Sequence, residues 1–291
     1  MTMSLKADVT AQVQKYWSAK FTQELRESLL LGALVNKDYE GEIKKGGDTV
    51  YVSQVNAPVG ETLSTEDGSA STFGSQKIST TRVAIQANKR FVASYEFEDI
   101  VDLQSQIDIQ GSEAREALLF AMQQQINDYL YSMVAPSTSN PDHSLASVTD
   151  MNKAQVLAIR TLAAQAKWSK AKGWYALLDP SYYGDVLNDT VLGSSDYGAT
   201  DAPTISGQIA LPRFGFNILE DNSSPVDYGL FFHPDFLHFV SQQSVRVKIS
   251  DLHSNHQFGV LMSVDLVGGA ALGIAGNVKH VLAYNTNATH D

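Results

Sequence analysis

Two β-prone runs, Thr49–Val55 and a longer one from Ile78 to Phe97, flank the stretch Asn56–Gln76, which is rich in Gly, Ser and Thr. A two-stranded ribbon of that length cannot stand alone in water, because it has too little sheet to bury either face. It must therefore lie on something, either its own body or a neighbouring molecule. Gly46-Gly47-Asp48 is a turn signal that opens the first run. In the second, Val83, Ile85, Phe91, Tyr95 and Phe97 fall on one alternating face. At the polar tip, Glu61, Glu66 and Asp67 have no basic residue beside them. If the ribbon lies on a neighbouring subunit and is not a surface loop of its own, these three are candidates to meet a basic surface there.

The segment Ser112–Val134 carries the clearest helical pattern. Ala114, Leu118, Ala121, Met122, Ile126, Tyr129 and Met133 share one arc of a helical wheel, with Arg115, Gln123, Gln124 and Asn127 outside it. Ser112 is placed to cap the helix, Glu113 and Glu116 complement its positive end, and Pro136 stops it. At a rise of 1.5 Å per residue this is a rod of roughly 33 Å. Upstream, Val13, Trp17, Phe21, Leu25 and Leu29 recur every four residues. Such a stripe drifts around a helix and needs a partner: either the chain's own core or, with Trp17, Phe21 and Leu25 as candidate anchors of an N-terminal arm, another subunit.

Pro136 to Pro141 is the best linker, since two prolines and small polar residues oppose both helix and ladder. Beyond it, Met151–Trp168 reads as a helix and Trp174–Leu178 as a buried strand. A helix then begins at Pro180, where a missing N–H costs nothing. A similar unit recurs at Gly229–Pro234, followed by Asp235–Val240. Val245–Ile249, parts of Phe258–Leu266 and Val278–Ala283 alternate like strands. With no regular alternation of strand and helix, the class is α+β and not a doubly wound sheet.

Composition closes several routes to function. The chain has no cysteine, which excludes disulfides, thiolate metal sites and cysteine nucleophiles. A formal charge of −11 opposes sequence-specific DNA reading. No apolar run reaches the ~20 residues that cross a bilayer, and Met1–Ala11 lacks the apolar stretch of a signal peptide, so a soluble chain made in a cytoplasm is expected. His253 and His256 are too loosely spaced, in a loop-like stretch, for a helical metal pair. The glycines of Gly268–Gly276 are followed by no Lys-Ser/Thr, so a tight β-turn with close backbone packing explains them better than a phosphate loop. Glu96, Glu98, Asp99 and Asp102 cluster without a nucleophile nearby and read as a solvated acidic turn. No catalytic residue, cofactor or metal site is expected.

The order of these segments resembles the major capsid proteins of tailed bacteriophages. The resemblance rests on Leu34–Val52 with its Gly-Asp-Thr-Val turn, Phe97-Glu98-Asp99-Ile100 leading into the long helix, and Trp174–Leu187. It continues through Ile205–Pro225 and Phe232–Leu237, the latter similar to a late helix start. It implies the Hong Kong 97-like major capsid fold, with an N-terminal arm over 1–38 and an extended β-hairpin loop and its base over 39–96. A peripheral domain with the spine helix follows over 97–148, then an axial domain over 149–241, and closing strands over 242–291 return to the peripheral domain.

The implied role is structural. Copies of the chain form pentamers and hexamers of an icosahedral head that encloses double-stranded DNA, with scaffolding and portal proteins as further partners. The head is assembled in the host cytoplasm, and the protein is localised to the virion capsid. No matched lysine, asparagine and acid for a covalent crosslink is found; Lys77 lies at the hairpin base. The alternatives are an encapsulin-type compartment shell and a monomeric enzyme using the cluster near Asp99 or His253 and His256.

Overall fold

The computed structural model describes residues 29–39, 49–63, 74–98, 112–135, 144–145, 147–193, 208–209, 211–242, 245–252, 258–273 and 280–285. In chain order the elements are α1 (Leu31–Leu34), β1 (Thr49–Val55), β2 (Thr80–Gln86), β3 (Lys89–Glu98), α2 (Ser112–Val134), β4 (Ser144–Leu145), α3 (Lys153–Gln165), β5 (Trp174–Leu178) and α4 (Pro180–Asn188). They continue with β6 (Phe216–Glu220), β7 (Tyr228–Phe232), β8 (Leu237–Ser241), β9 (Arg246–Asp251), β10 (Gly259–Leu272) and β11 (His280–Tyr284). The class is mixed α+β.

Two larger sheets and one ribbon carry the architecture. In the first sheet β10 is the shared strand: β3 pairs along one edge, while β9 and then β8 occupy the other. Helix α2 covers this sheet, with Leu118, Met122 and Leu130 packed among Phe91, Met262, Val264 and Leu266. The second sheet has the order β4-β11-β7-β5-β6, with β5–β6 and β4–β11 parallel and the other pairs antiparallel. Both of its faces are covered. Ala176, Leu178 and Phe231 pack under α3 and α4, whereas Leu177, Leu230 and Phe232 join the core around α2. That two-sided burial is why β5 and β7 read as unbroken apolar runs instead of alternating ones.

Local chemistry sets the ends of the two helices over the second sheet. Asn152 caps α3 by accepting from the N–H groups of Ala154 and Gln155, and Asp179 caps α4 by accepting from Tyr182 N–H ahead of Pro180. Helix α2 spans the predicted residues, but its predicted cap at Ser112 lies outside the described side chains. Asn127, expected outside the buried arc, is 1% exposed. Its amide donates to Ser223 Oγ at 2.8 Å, which draws the polar side chain inward.

Three sequence expectations need correction. The run from Ile78 to Phe97 is two strands, because the chain breaks at Ala87-Asn88 and sends β2 to the ribbon and β3 to the sheet beneath α2. The segment after His233 is not a helix; a single 3-10 turn, Pro234–Phe236, gives way to β8. The ladder with Gly268–Leu272 claims those backbone groups, and Leu237–Val240 is buried. Finally, Gly268 and Gly269 lie inside β10 and not in a turn. Close packing is their reason: a Cβ on Gly269 would overlap the Gln86 carbonyl oxygen.

Candidate functional site

The ribbon of β1 and β2 is rooted in a small core of its own, where Val50, Ile85 and Ala87 meet Val240. From that root it pairs in one antiparallel register from Thr49–Gln86 to Val55–Thr80. Beyond the strands the register continues through side chains. Asn56 N–H donates to Ser79 O at 2.9 Å, and the Asn56 amide reaches Ser79 Oγ and Thr81 Oγ1 at 3.2 and 3.1 Å. The Gln76 amide makes both a donor and an acceptor bond with the Val59 backbone, at 3.1 and 3.0 Å. Last, Glu61 Oε2 accepts from Gly74 N–H at 2.9 Å. Amide and carboxylate side chains thus act as extra rungs where the backbone ladder has ended.

The two faces of the ribbon differ. Toward the body, Val50 and Ile85 are buried and Val52, Thr81 and Val83 are half-buried. The other face is open, with Tyr51 59%, Val55 65%, Val59 75% and Ile78 85% exposed. Arg82 lies over the Tyr51 ring, 5.0 Å from its centre. A cleft of about 430 Å³ separates part of the ribbon from Lys172, Asp235 and His238 on the body. The root is the most deeply seated part, and burial falls off along the ribbon.

Asn36 ties the incoming chain to that cleft. Its N–H donates to Leu237 O at 3.2 Å, its carbonyl accepts from Phe239 N–H at 3.0 Å, and its amide donates to Asp235 Oδ1 at 3.0 Å. Lys172 Nζ donates to the same Asp235 oxygen at 2.8 Å. Burial raises the Asp235 carboxyl, but the Lys172 and Asn36 hydrogen bonds outweigh it and hold the group below the usual carboxylate range.

A second open surface lies on β9, where every residue is exposed. Val247 and Ile249 stand opposite the buried Val264 and Met262 of β10, so the apolar face beneath α2 continues past the helix into solvent. On the reverse face, Asp265 is gripped by Arg246 at 2.6 Å and Arg90 at 2.8 Å. The Arg246 hydrogen bond outweighs desolvation and, with Arg90, holds the Asp265 carboxyl below its usual range. Three strands are cross-braced by one carboxylate.

Of the residues singled out in the sequence, Glu61 is exposed on the ribbon, where it closes the hairpin as well as facing solvent. Trp17, Phe21, Leu25, Glu66 and Asp67 lie outside the described residues, as do Asp99, Asp102, His253 and His256. Glu96 and Glu98 are exposed on β3, opposite Leu261 and Gly259. Among the described residues, no group of three or more His, Asp or Glu is placed to hold a metal ion, and no helix is long and apolar enough to cross a membrane. The outward apolar stripe of the ribbon went unread in the sequence, although the odd-numbered positions Tyr51, Val55 and Val59 carry it at a strand's period.

No protein-family model matches the chain, and no curated protein does. Solved structures do. The capsid structure of the cyanophage P-SCSP1u superposes with a TM-score of 0.74 at 15% identity, covering 96% of this chain and 95% of that one. The capsid asymmetric unit of cyanophage Pam1 gives 0.74 at 14% identity, covering 97% and 98%. A structure from Mycobacterium phage Che8 gives 0.69 at 19% identity, covering 93% and 96%. At such identities the likeness is one of fold. The chain has the tailed-phage major capsid protein fold, the fold its sequence resemblance implies.

Proposed function

We propose that the chain is the major capsid protein of a tailed double-stranded DNA bacteriophage, a structural subunit and not an enzyme. The observation that carries this reading is the likeness to phage capsid structures over nearly the whole length of both chains. Copies associate as pentamers and hexamers of an icosahedral shell in the virion, assembled in the host cytoplasm with scaffolding and portal proteins. In Hong Kong 97 terms, residues 1–38 are the arm, 39–96 the extended loop and its base, 97–148 the peripheral domain with α2 as spine helix, and 149–241 the axial domain. Residues 242–291 are the closing strands, of which β9 and β10 run beneath α2 and β11 joins the second sheet.

Two features of the isolated subunit support an assembling role. The ribbon leaves its outward stripe bare, and β9 leaves Val247 and Ile249 bare; neither is the economy of a monomer. The net charge of −11 makes copies repel at long range, so association has to come from short-range contacts repeated by symmetry. Trp17, Phe21 and Leu25 anchor the arm, and Glu61, Glu66 and Asp67 meet a basic surface of the neighbour. The same acidity keeps the wall from binding the packaged DNA tightly.

The test is expression of the full-length chain with and without its scaffold, read by light scattering and electron microscopy. Closed particles are expected, and the double variant Glu66→Lys/Asp67→Lys should lose them while the subunit stays folded. Normal particles from the double variant would remove the loop contact. A stable monomer under every condition would remove the shell.

A further inference from the structure

A cleft of about 480 Å³ opens at the edge of the second sheet, away from the ribbon and from β9, and it has an unusual lining for so acidic a chain. Arg160 from α3, Lys170 from the turn before β5, and Asn217 from the edge strand β6 line it together with Trp174 and Phe214. Among the described residues, no acidic one lines it. Arg160 is half-buried, and its Nε donates to Phe214 O at 3.0 Å, which fixes the guanidinium while its terminal nitrogens meet no acceptor among the described residues. Neither the Lys170 ammonium nor the Asn217 amide has a hydrogen-bond or ion-pair partner among the described residues.

The backbone around the cleft is also specialised. Gly173, Phe214 and Gly215 all hold positive φ, at 75°, 51° and 92°. At Phe214 this is a conformation that a bulky residue adopts only where its surroundings enforce it. Gly215 carries no side chain where a Cβ would face the Trp174 ring, and so leaves that wall open. The strained turn aims the Phe214 carbonyl at Arg160 and holds the cation in place before any ligand arrives. A guanidinium fixed in advance loses little rotamer freedom on binding, and its free edge matches an oxyanion in two hydrogen bonds.

We propose that this cleft binds a small oxyanion, a carboxylate- or phosphate-bearing molecule held between Arg160 and Lys170, with the Asn217 amide as a third donor. The volume lies within the range of small-ligand sites, about 300–1,000 Å³. The site stands on the geometry of one subunit and does not depend on the shell reading.

The full-length chain is titrated with succinate, and separately with inorganic phosphate, at ionic strength held constant with chloride. Calorimetry reads the binding, and tryptophan fluorescence follows it through Trp174 in the wall. Saturable one-to-one binding of either probe is expected, and the preferred probe tells a planar from a tetrahedral anion. Lys170→Gln and Arg160→Gln should each weaken it about tenfold or more. Arg160→Gln also removes the bond to Phe214 and so tests the turn as well. Lys170→Gln removes a side chain with no described partner and tests charge alone, while Lys170→Arg should retain binding. No saturable signal with either probe, or equal affinity in wild type and Lys170→Gln, would overturn the site.

Discussion

The ribbon and the second sheet are built on opposite terms. The sheet buries both faces, and in its core Phe216 packs tilted against Trp174 and edge-on against Phe231, with ring centres 5.4 and 5.1 Å apart. Two buried carboxylates beside it are paired within the subunit. Asp179 accepts from Ser181 Oγ and from the N–H groups of Tyr182 and Asp227, and Asp221, fully buried, accepts from Tyr131 and Ser223. The ribbon buries one end of one face and replaces missing contacts with side-chain rungs. Stability that is complete within one molecule belongs to the sheet, and the ribbon's open stripe is surface held in reserve for contact.

Breaking the sheet should therefore unfold the subunit, and breaking the ribbon should not. The largest effect is expected from Phe231→Ala, which empties a fully buried site and should cost about 3–5 kcal/mol in urea unfolding. Tyr131→Phe comes next. Its hydroxyl donates to Asp221 Oδ2 at 2.7 Å, and burial, then the Asp221 charge, push the phenol well above its usual pKa, so it stays a donor. Losing that bond should cost about 1–3 kcal/mol, because a buried carboxylate oxygen is left short of a partner.

Asp265→Asn tests the brace on the sheet beneath α2 and should cost only about 0.5–1 kcal/mol near neutral pH, since both arginine partners reach solvent although the carboxylate is buried. The sign of its pH dependence follows from the carboxyl being lowered in the folded state. The brace contributes fully above the unfolded value, about 3.9, and its contribution is lost as pH falls through the lower folded value. The gap between wild type and variant in thermal unfolding should close in acid. Smallest of all, Tyr51→Ser/Val59→Ser should change subunit stability by less than about 0.5 kcal/mol. The same variant should impair particle formation by electron microscopy. A large loss of stability instead would mean that the open stripe serves the subunit's own fold.

Much of the fold was legible because local signals agreed with tertiary demands. Asp179-Pro180 and the apolar run before it fixed β5 and α4, and the spacing of Leu118, Met122 and Ile126 fixed α2. The failures came where a distant strand decided. Nothing local at Asp235–Val240 reveals that β10 will pair with it, and nothing in Val83–Phe97 shows that the chain changes sheet at Ala87. The glycines of β10 were read correctly as close packing and wrongly as a turn, because the packing partner, Gln86, is remote in sequence. The oxyanion cleft was illegible for the same reason: Arg160, Lys170 and Asn217 are brought together only by the fold.

The unbroken register from Thr49–Gln86 to Glu61–Gly74 makes the ribbon a cantilever about 40 Å long, clamped where Gln86 meets Gly269. A tilt of about 10° at the clamp sweeps its free end through roughly 7 Å, a simple lever ratio on that length. The angle at which one molecule reaches for another is thus set by a few atoms at the clamp. Neither large core has to be rebuilt to change it.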